Sequence, residues 1–113
     1  MLIRLLGLNT LFEFAVGIAM IYLSFGGEGA TSNLTIAMAR VLAGNAFGLG
    51  TLSWALIFSS DRKAGLIALA VFHTAVAIAQ IVNLVGGIVP LPVVIVHAVF
   101  ALLFIFFSFK SYE

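Results

Sequence analysis

Four long apolar segments, separated by short polar stretches, constrain this chain more than any other feature of its sequence. They cover residues 2–25, 34–60, 64–87 and 91–109. A helix needs roughly 20 apolar residues to cross a bilayer, and only helices or closed barrels satisfy the backbone there. The segments therefore predict four spanning helices. Because short connections make neighbouring helices antiparallel, we predict an all-α, integral membrane four-helix bundle with up-down-up-down topology, in a single domain of residues 1–113.

The composition supports this class. The 113 residues are 64% hydrophobic and 8% charged, with a mean hydropathy of +1.29, whereas a soluble domain carries about 25% charged residues. The formal net charge of +1 gives no indication of nucleic acid as a partner. The chain has no cysteine, which excludes disulfides, thiolate metal sites and cysteine nucleophiles.

Charge at the segment ends predicts an orientation. Arg4, Arg62, Lys63 and Lys110 fall at one end of an antiparallel bundle, whereas the other end has Glu28 and no positive residue. Positive residues favour the cytoplasmic side of a membrane. The sequence therefore predicts that both termini are cytoplasmic.

The boundaries of the segments carry helix-start signals. Residues 26–33 have the composition of a loop, and Thr31, Ser32 or Asn33 is expected to cap the helix that follows. Before the fourth segment, Pro90 and Pro92 suit the first turn of a helix.

A polar run lies inside the second segment. It contains Arg40, Asn45 and three glycines, of which Gly44 and Gly48 are four residues apart. That spacing lets two membrane helices approach closely. We expect Gly44, Gly48 and Gly50 to serve helix packing.

Five polar side chains are predicted to form a buried layer: Glu13, Arg40, Asn45, His73 and His97. At about 1.5 Å per residue, Glu13, His73 and Asn45 lie near 12–15 Å from the cytoplasmic side, and Arg40 and His97 near 20–24 Å. The central hypothesis is that Glu13 pairs with Arg40, flanked by the other three.

Members of this layer also have alternative interpretations. Arg40 is alternatively predicted to extend to the lipid headgroups. If Glu13 and Arg40 do pair, a purely structural pair that fixes helix register is the alternative to a functional one. For each histidine, the alternative to metal binding is a hydrogen bond to a backbone carbonyl or a hydroxyl.

Other polar residues have structural interpretations. Asn9, Glu13 and Gly17 are spaced by four and share one helix face. Gln80 and Asn83 are expected to make interhelical hydrogen bonds. The phenylalanines of the fourth segment are expected to face lipid or a neighbouring protein.

No catalytic motif accompanies these residues. Ser24, Ser53 and Ser108 lie near segment ends with no matching base. There is no phosphate loop, zinc motif or nucleotide fingerprint. The sequence therefore assigns no catalytic residue and no metal site, and it indicates no enzyme acting alone.

One pattern resembles a known group, the small four-helix bacterial membrane proteins called DoxX-like, over residues 5–109. The pattern combines a basic hairpin and one histidine in each of the last two segments with Ala39-Arg40, Gly44, Gly48-Leu49-Gly50 and Trp54. The resemblance implies a bacterial inner-membrane protein in which Glu13 and Arg40 are the buried charges. Some members of the group are similar to membrane subunits of quinone-linked oxidoreductases.

Three functions follow as hypotheses. The first is an accessory or structural subunit that packs against a larger membrane complex or against itself, with lipid around it. The second is a ligand-binding or redox-linked bundle for a quinone, haem, pigment or lipid, although no cofactor motif is evident. The third is a proton-coupled transporter that uses Glu13, since small multidrug transporters also carry an acidic residue in their first helix, but the third-segment aromatics of those transporters are missing here.

Overall fold

The computed structural model describes residues 1–25 and 32–110. This part of the chain contains four α-helices and no strand: α1 (Leu2–Ser24), α2 (Asn33–Phe58), α3 (Lys63–Val85) and α4 (Leu91–Lys110). All four are long and apolar enough to cross a membrane. The predicted all-α class is confirmed, and each helix begins and ends within two residues of the boundaries expected from the sequence.

Local chemistry explains where the helices begin and end. Ser32 is the N-cap of α2, and its side chain accepts a hydrogen bond of 3.1 Å from the Thr35 backbone N–H, as one of the three capping candidates predicted. After α3, Gly87 adopts a φ of +71°, a left-handed conformation that favours glycine. Pro92 then lies in the first turn of α4. The candidate cap Thr31, the acidic Glu28 and residues 111–113 lie outside the described residues.

The chain forms two compact units, Met1–Ser59 and Ser60–Glu113. We call α1 with α2 the N-terminal helix pair, and α3 with α4 the C-terminal helix pair. Within the N-terminal pair, contacts that advance along α1 move backwards along α2: Asn9 meets Ser53, and Gly17 meets Phe47. The two helices of this pair therefore run in opposite directions.

The N-terminal helix pair is held by reciprocal glycine–phenylalanine packing. A Cβ placed on Gly50 would lie 2.6 Å from the Phe14 ring, and one on Gly17 would lie 2.9 Å from the Phe47 ring. The two rings are themselves in contact, with centroids 5.8 Å apart. Each helix thus offers a glycine to the other helix's aromatic ring, which lets the backbones approach closely.

In the C-terminal helix pair the core is built from larger side chains. Leu66 and Leu69 of α3 and Phe104 of α4 are fully buried, with no exposed surface. His73 of α3 is buried with them, against the first half of α4.

The outward surface of both helix pairs is apolar. Ile18, Val71 and Leu102, for example, are each more than 60% exposed, at 64%, 63% and 68%. Such a surface would drive aggregation in water, whereas lipid tails are as apolar as these side chains. Together with the four spanning helices, it identifies a multi-pass membrane protein.

Candidate functional site

A buried polar cluster lies between α1 and α2. The Asn9 side chain donates a hydrogen bond of 2.8 Å to Ser53 Oγ, and both residues are completely buried. One turn further along α1, Glu13 is 2% exposed, and its Cβ lies 3.4 Å from the position of a Cβ on Gly50. Asn9, Glu13 and Gly17 are all buried against α2, on the shared face that their spacing predicts.

The Asn9 amide is incompletely satisfied. Its Oδ1 is buried and has no hydrogen-bond partner within the described part of the chain. An amide has one acceptor oxygen and two donor hydrogens, so Ser53 occupies only part of its capacity. From the sequence, Ser53 is only a serine with no matching base. The signal that could have placed it opposite α1 is its helical spacing, because Ser53 shares one face of α2 with the small residues Ala43, Ala46 and Gly50.

The structure separates Glu13 from Arg40. Glu13 lies beside Gly50, and Arg40 precedes Gly50 by ten residues, which is about 15 Å along a helix axis. Arg40 is also exposed, away from the buried face of α2. An ion pair requires charged atoms within about 4 Å, so the expected Glu13–Arg40 pair is replaced by two separate groups. Arg40 lies about 10 Å from the start of α2, where its long side chain can reach the headgroup region.

The glycines of the polar run divide between two faces of α2. Gly50 contacts α1, whereas a Cβ on Gly44 or Gly48 would have nothing within 4 Å. Both glycines are exposed, as is Asn45. Gly50 therefore serves packing within the N-terminal helix pair, whereas Gly44 and Gly48 do not, and packing of these two against another helix stays a prediction. The reason is helical periodicity, which turns positions 44 and 48 away from the face that carries position 50.

These two glycines belong to a continuous exposed row on α2. The row, here called the α2 outer stripe, contains five small residues and one arginine, and all six are exposed: Ala37, Arg40, Gly44, Gly48, Thr51 and Ala55. Residues three or four apart on a helix are neighbours on its surface. The stripe is therefore a shallow groove whose floor is largely backbone, with Asn45 at its edge.

A histidine pair lies between α3 and α4. The Nδ1 atoms of His73 and His97 are 3.1 Å apart, a hydrogen-bond distance that requires one Nδ1 to carry a proton and the other to accept it. As arranged, the two nitrogens share one proton in a hydrogen bond that joins α3 to α4.

Three phenylalanine rings contact His73 of the histidine pair. The His73 imidazole stacks on Phe100 and Phe104, with centroids 5.1 and 5.6 Å apart, and meets the edge of Phe72 at 5.3 Å. The sequence led us to expect the α4 phenylalanines on the outside. Phe104 has instead no exposed surface, whereas Phe109 is 75% exposed, because the ring at position 104 fills the space beside His73.

The remaining polar residues of α3 pair with each other. Asn83 Nδ2 donates to Gln80 Oε1 at 3.0 Å, a contact within one helix turn. The hydrogen bond that this pair makes is therefore a local one within α3, instead of the predicted interhelical bond.

The polar residue pairs described above are engaged in hydrogen bonds within the helix pairs. Among the described residues there is no group of three or more histidine, cysteine, aspartate or glutamate side chains that could hold a metal ion. Ser24 and Ser108 each donate to a backbone carbonyl three residues earlier, at 2.7 Å in both cases, so neither hydroxyl is oriented as a nucleophile.

No protein-family model, curated protein or solved structure matches this chain. The resemblance to the DoxX-like group stays an expectation based on the sequence motifs.

Proposed function

We propose that this protein is a small, non-enzymatic integral membrane protein whose α2 helix packs against another membrane protein chain. The partner chain is either a subunit of a larger complex or a second copy. The observation that carries this proposal is the exposed amide of Asn45, which lies beside Gly44 and Gly48 near the middle of a membrane-length helix.

The position of Asn45 makes exposure to lipid costly. It lies twelve residues from the start of the 26-residue helix α2, about 18 Å along an axis of about 39 Å. A polar group without a hydrogen bond in an apolar medium costs roughly 1–3 kcal/mol by protein measurements and more by alkane scales. A partner helix that hydrogen-bonds the amide removes this cost, so the amide favours association.

The α2 outer stripe offers the geometry for such a partner. Gly44 and Gly48 have no Cβ and no neighbour within 4 Å, so another helix can approach their backbone directly. Small residues four apart are enriched where membrane helices associate, because close approach increases van der Waals contact. The same two positions that contribute nothing to packing within the N-terminal helix pair are therefore those best suited to packing outside it.

The test compares substitutions in the α2 outer stripe with one at an equally open glycine of α1. Gly48→Leu blocks the α2 outer stripe, and Asn45→Leu removes the amide. Gly7→Leu is the matched control, because a Cβ on Gly7 also has nothing within 4 Å but lies on α1. Each full-length variant is extracted from its own membrane in mild detergent and weighed by native mass spectrometry.

We expect the parent and Gly7→Leu to have the mass of an assembly larger than one chain. We expect Gly48→Leu and Asn45→Leu to lose this association. The mass of the assembly distinguishes a homo-oligomer from a complex with other subunits. A parent that is monomeric in both mild detergent and nanodiscs would refute the proposal, as would variants that associate as well as the parent.

The same spectra address the ligand-binding hypothesis. A reproducible extra mass or a visible absorption band on a single chain, lost in His73→Ala or His97→Ala, would favour a ligand-binding bundle.

We also propose that the protein lies in a bacterial inner membrane with both termini cytoplasmic. Activity of alkaline phosphatase fused to either terminus would contradict that orientation, because the enzyme is active only outside the cytoplasm.

Proton-coupled transport is a second candidate, supported by the burial of Glu13. A carboxyl that is 2% exposed inside a spanning helix is a functional candidate by default. This function predicts that Glu13→Gln abolishes coupled uptake in vesicles, whereas Arg4→Gln at the helix start does not. Unchanged uptake, or no uptake in the parent, would exclude it.

A further inference from the structure

An open cleft runs along the C-terminal helix pair. Its volume is about 380 Å³. It is lined by eight residues of α3 and α4, mostly apolar: Lys63, Ile67, Ala70, Val71, Thr74, Ile105, Ser108 and Phe109. The Ser108 hydroxyl donates to the Ile105 carbonyl at 2.7 Å, so it presents little polarity to the cleft.

The length of the cleft matches one leaflet of a bilayer. Its α3 wall extends from Lys63 to Thr74, eleven residues, or about 16 Å. Half of the roughly 30 Å hydrocarbon core is about 15 Å. A chain lying in the cleft would therefore run from the headgroup level to near the bilayer midplane.

Positive charge is concentrated at one end of this cleft. Lys63 lines it directly, Arg62 precedes Lys63, and Lys110 follows Phe109 on the opposite wall. Lys110 Nζ lies 5.7 Å from the centroid of the Phe106 ring. Asp61 is the one acidic side chain near this end within the described residues, and its carboxylate accepts from the Lys63 backbone N–H at 3.3 Å. In that part of the chain, the end carries three cations and one anion, a net positive charge.

We infer that this cleft is a binding site for an anionic phospholipid. One acyl chain lies between α3 and α4, and the phosphate group is held at the end that carries Arg62, Lys63 and Lys110. Charge complementarity selects the occupant: an apolar cleft alone would accept any lipid, whereas clustered basic residues beside spanning helices attract anionic headgroups. The acyl chain makes the site specific for a lipid instead of a free phosphate.

The test measures lipid retention by the full-length protein. Detergent-solubilised protein is titrated with phosphatidylglycerol or phosphatidylcholine of identical acyl chains, and bound lipids are counted by native mass spectrometry. Lys63→Gln with Lys110→Gln removes two cations, and Arg4→Gln, in the N-terminal helix pair, is the matched charge control. Val71→Trp narrows the cleft at a residue that is 63% exposed and is expected to fold.

We expect the parent to retain phosphatidylglycerol over phosphatidylcholine. This preference should fall about five-fold for each cation removed and should persist in Arg4→Gln. Val71→Trp should lower retention of both lipids and keep their ratio. Equal retention of the two lipids by the parent, or an equal loss in Arg4→Gln, would overturn the inference. Complete displacement of the lipid by glycerol phosphate would also overturn it, because binding would then not need the acyl chain.

Discussion

Replacing Gly50 by alanine tests the packing of the N-terminal helix pair most directly. The added Cβ would lie 2.6 Å from both Cδ1 and Cε1 of Phe14, whereas carbon atoms in good contact are about 3.5–4.0 Å apart. The ring must therefore move by about 1 Å. Because the added Cβ would also lie 3.4 Å from the Cβ of Glu13, α2 has little room to shift instead.

The expected magnitude is the sum of two opposing effects. Overpacking of this kind costs about 1–3 kcal/mol, while alanine is favoured over glycine inside a helix by about 1 kcal/mol. Gly7→Ala shares the second effect without the first, since a Cβ there meets nothing within 4 Å. The free energy of unfolding of Gly50→Ala should therefore be about 1–3 kcal/mol below that of Gly7→Ala.

The assay is reversible unfolding in mixed micelles of a mild detergent and dodecyl sulfate, followed by far-ultraviolet circular dichroism and by fluorescence of Trp54, the only tryptophan. In a Phe14→Leu background the smaller side chain relieves the contact, so the difference between the two alanine variants should shrink towards zero. Equal stability of Gly50→Ala and Gly7→Ala, or a difference that Phe14→Leu leaves unchanged, would refute the reciprocal packing.

Three further predictions follow from the two helix pairs. Ser53→Ala should destabilise the N-terminal pair by about 0.6 kcal/mol, the average for an interhelical hydrogen bond in a membrane, and a double-mutant cycle with Asn9→Ala should recover that coupling; additive effects would contradict the bond. Phe104→Ala, which empties a fully buried site, should lower the free energy of unfolding by about 3–5 kcal/mol. Phe109→Ala, at a residue that is 75% exposed, should leave it almost unchanged, and equal losses in the two variants would contradict the core described here. Nitrogen-15 NMR of the histidine pair should resolve one protonated and one unprotonated Nδ1, as the 3.1 Å contact requires; two protonated Nδ1 atoms in the neutral rings would exclude the shared proton.

The sequence predicted the helices because their causes are local. Continuous apolar length specifies a spanning helix, and a serine or proline at the right position specifies where it begins. The common face of Asn9, Glu13 and Gly17 followed from a spacing of four residues alone. These are properties of single segments, and the structure of α1 to α4 confirms them.

The partners of the polar residues could not be predicted in the same way. In water, the burial of an apolar stripe identifies the inner face of a helix. Here the side chains exposed to lipid, such as Ile18 and Leu102, are as apolar as those of the core, so the sequence does not mark which face is inside. That is why the sequence does not separate Gly50 from Gly44 and Gly48, and why it predicts Phe104 on the outside.

The sequence by itself determined the membrane class, the four helices and the set of polar residues inside them. Only the tertiary structure decided that Asn9 bonds to Ser53, that His73 meets His97, and that Glu13 lies beside Gly50 instead of Arg40. The physical reason is that these contacts depend on the axial register of one helix against another. That register is set by the way in which individual side chains such as Phe14 and Phe47 fill the space above a glycine.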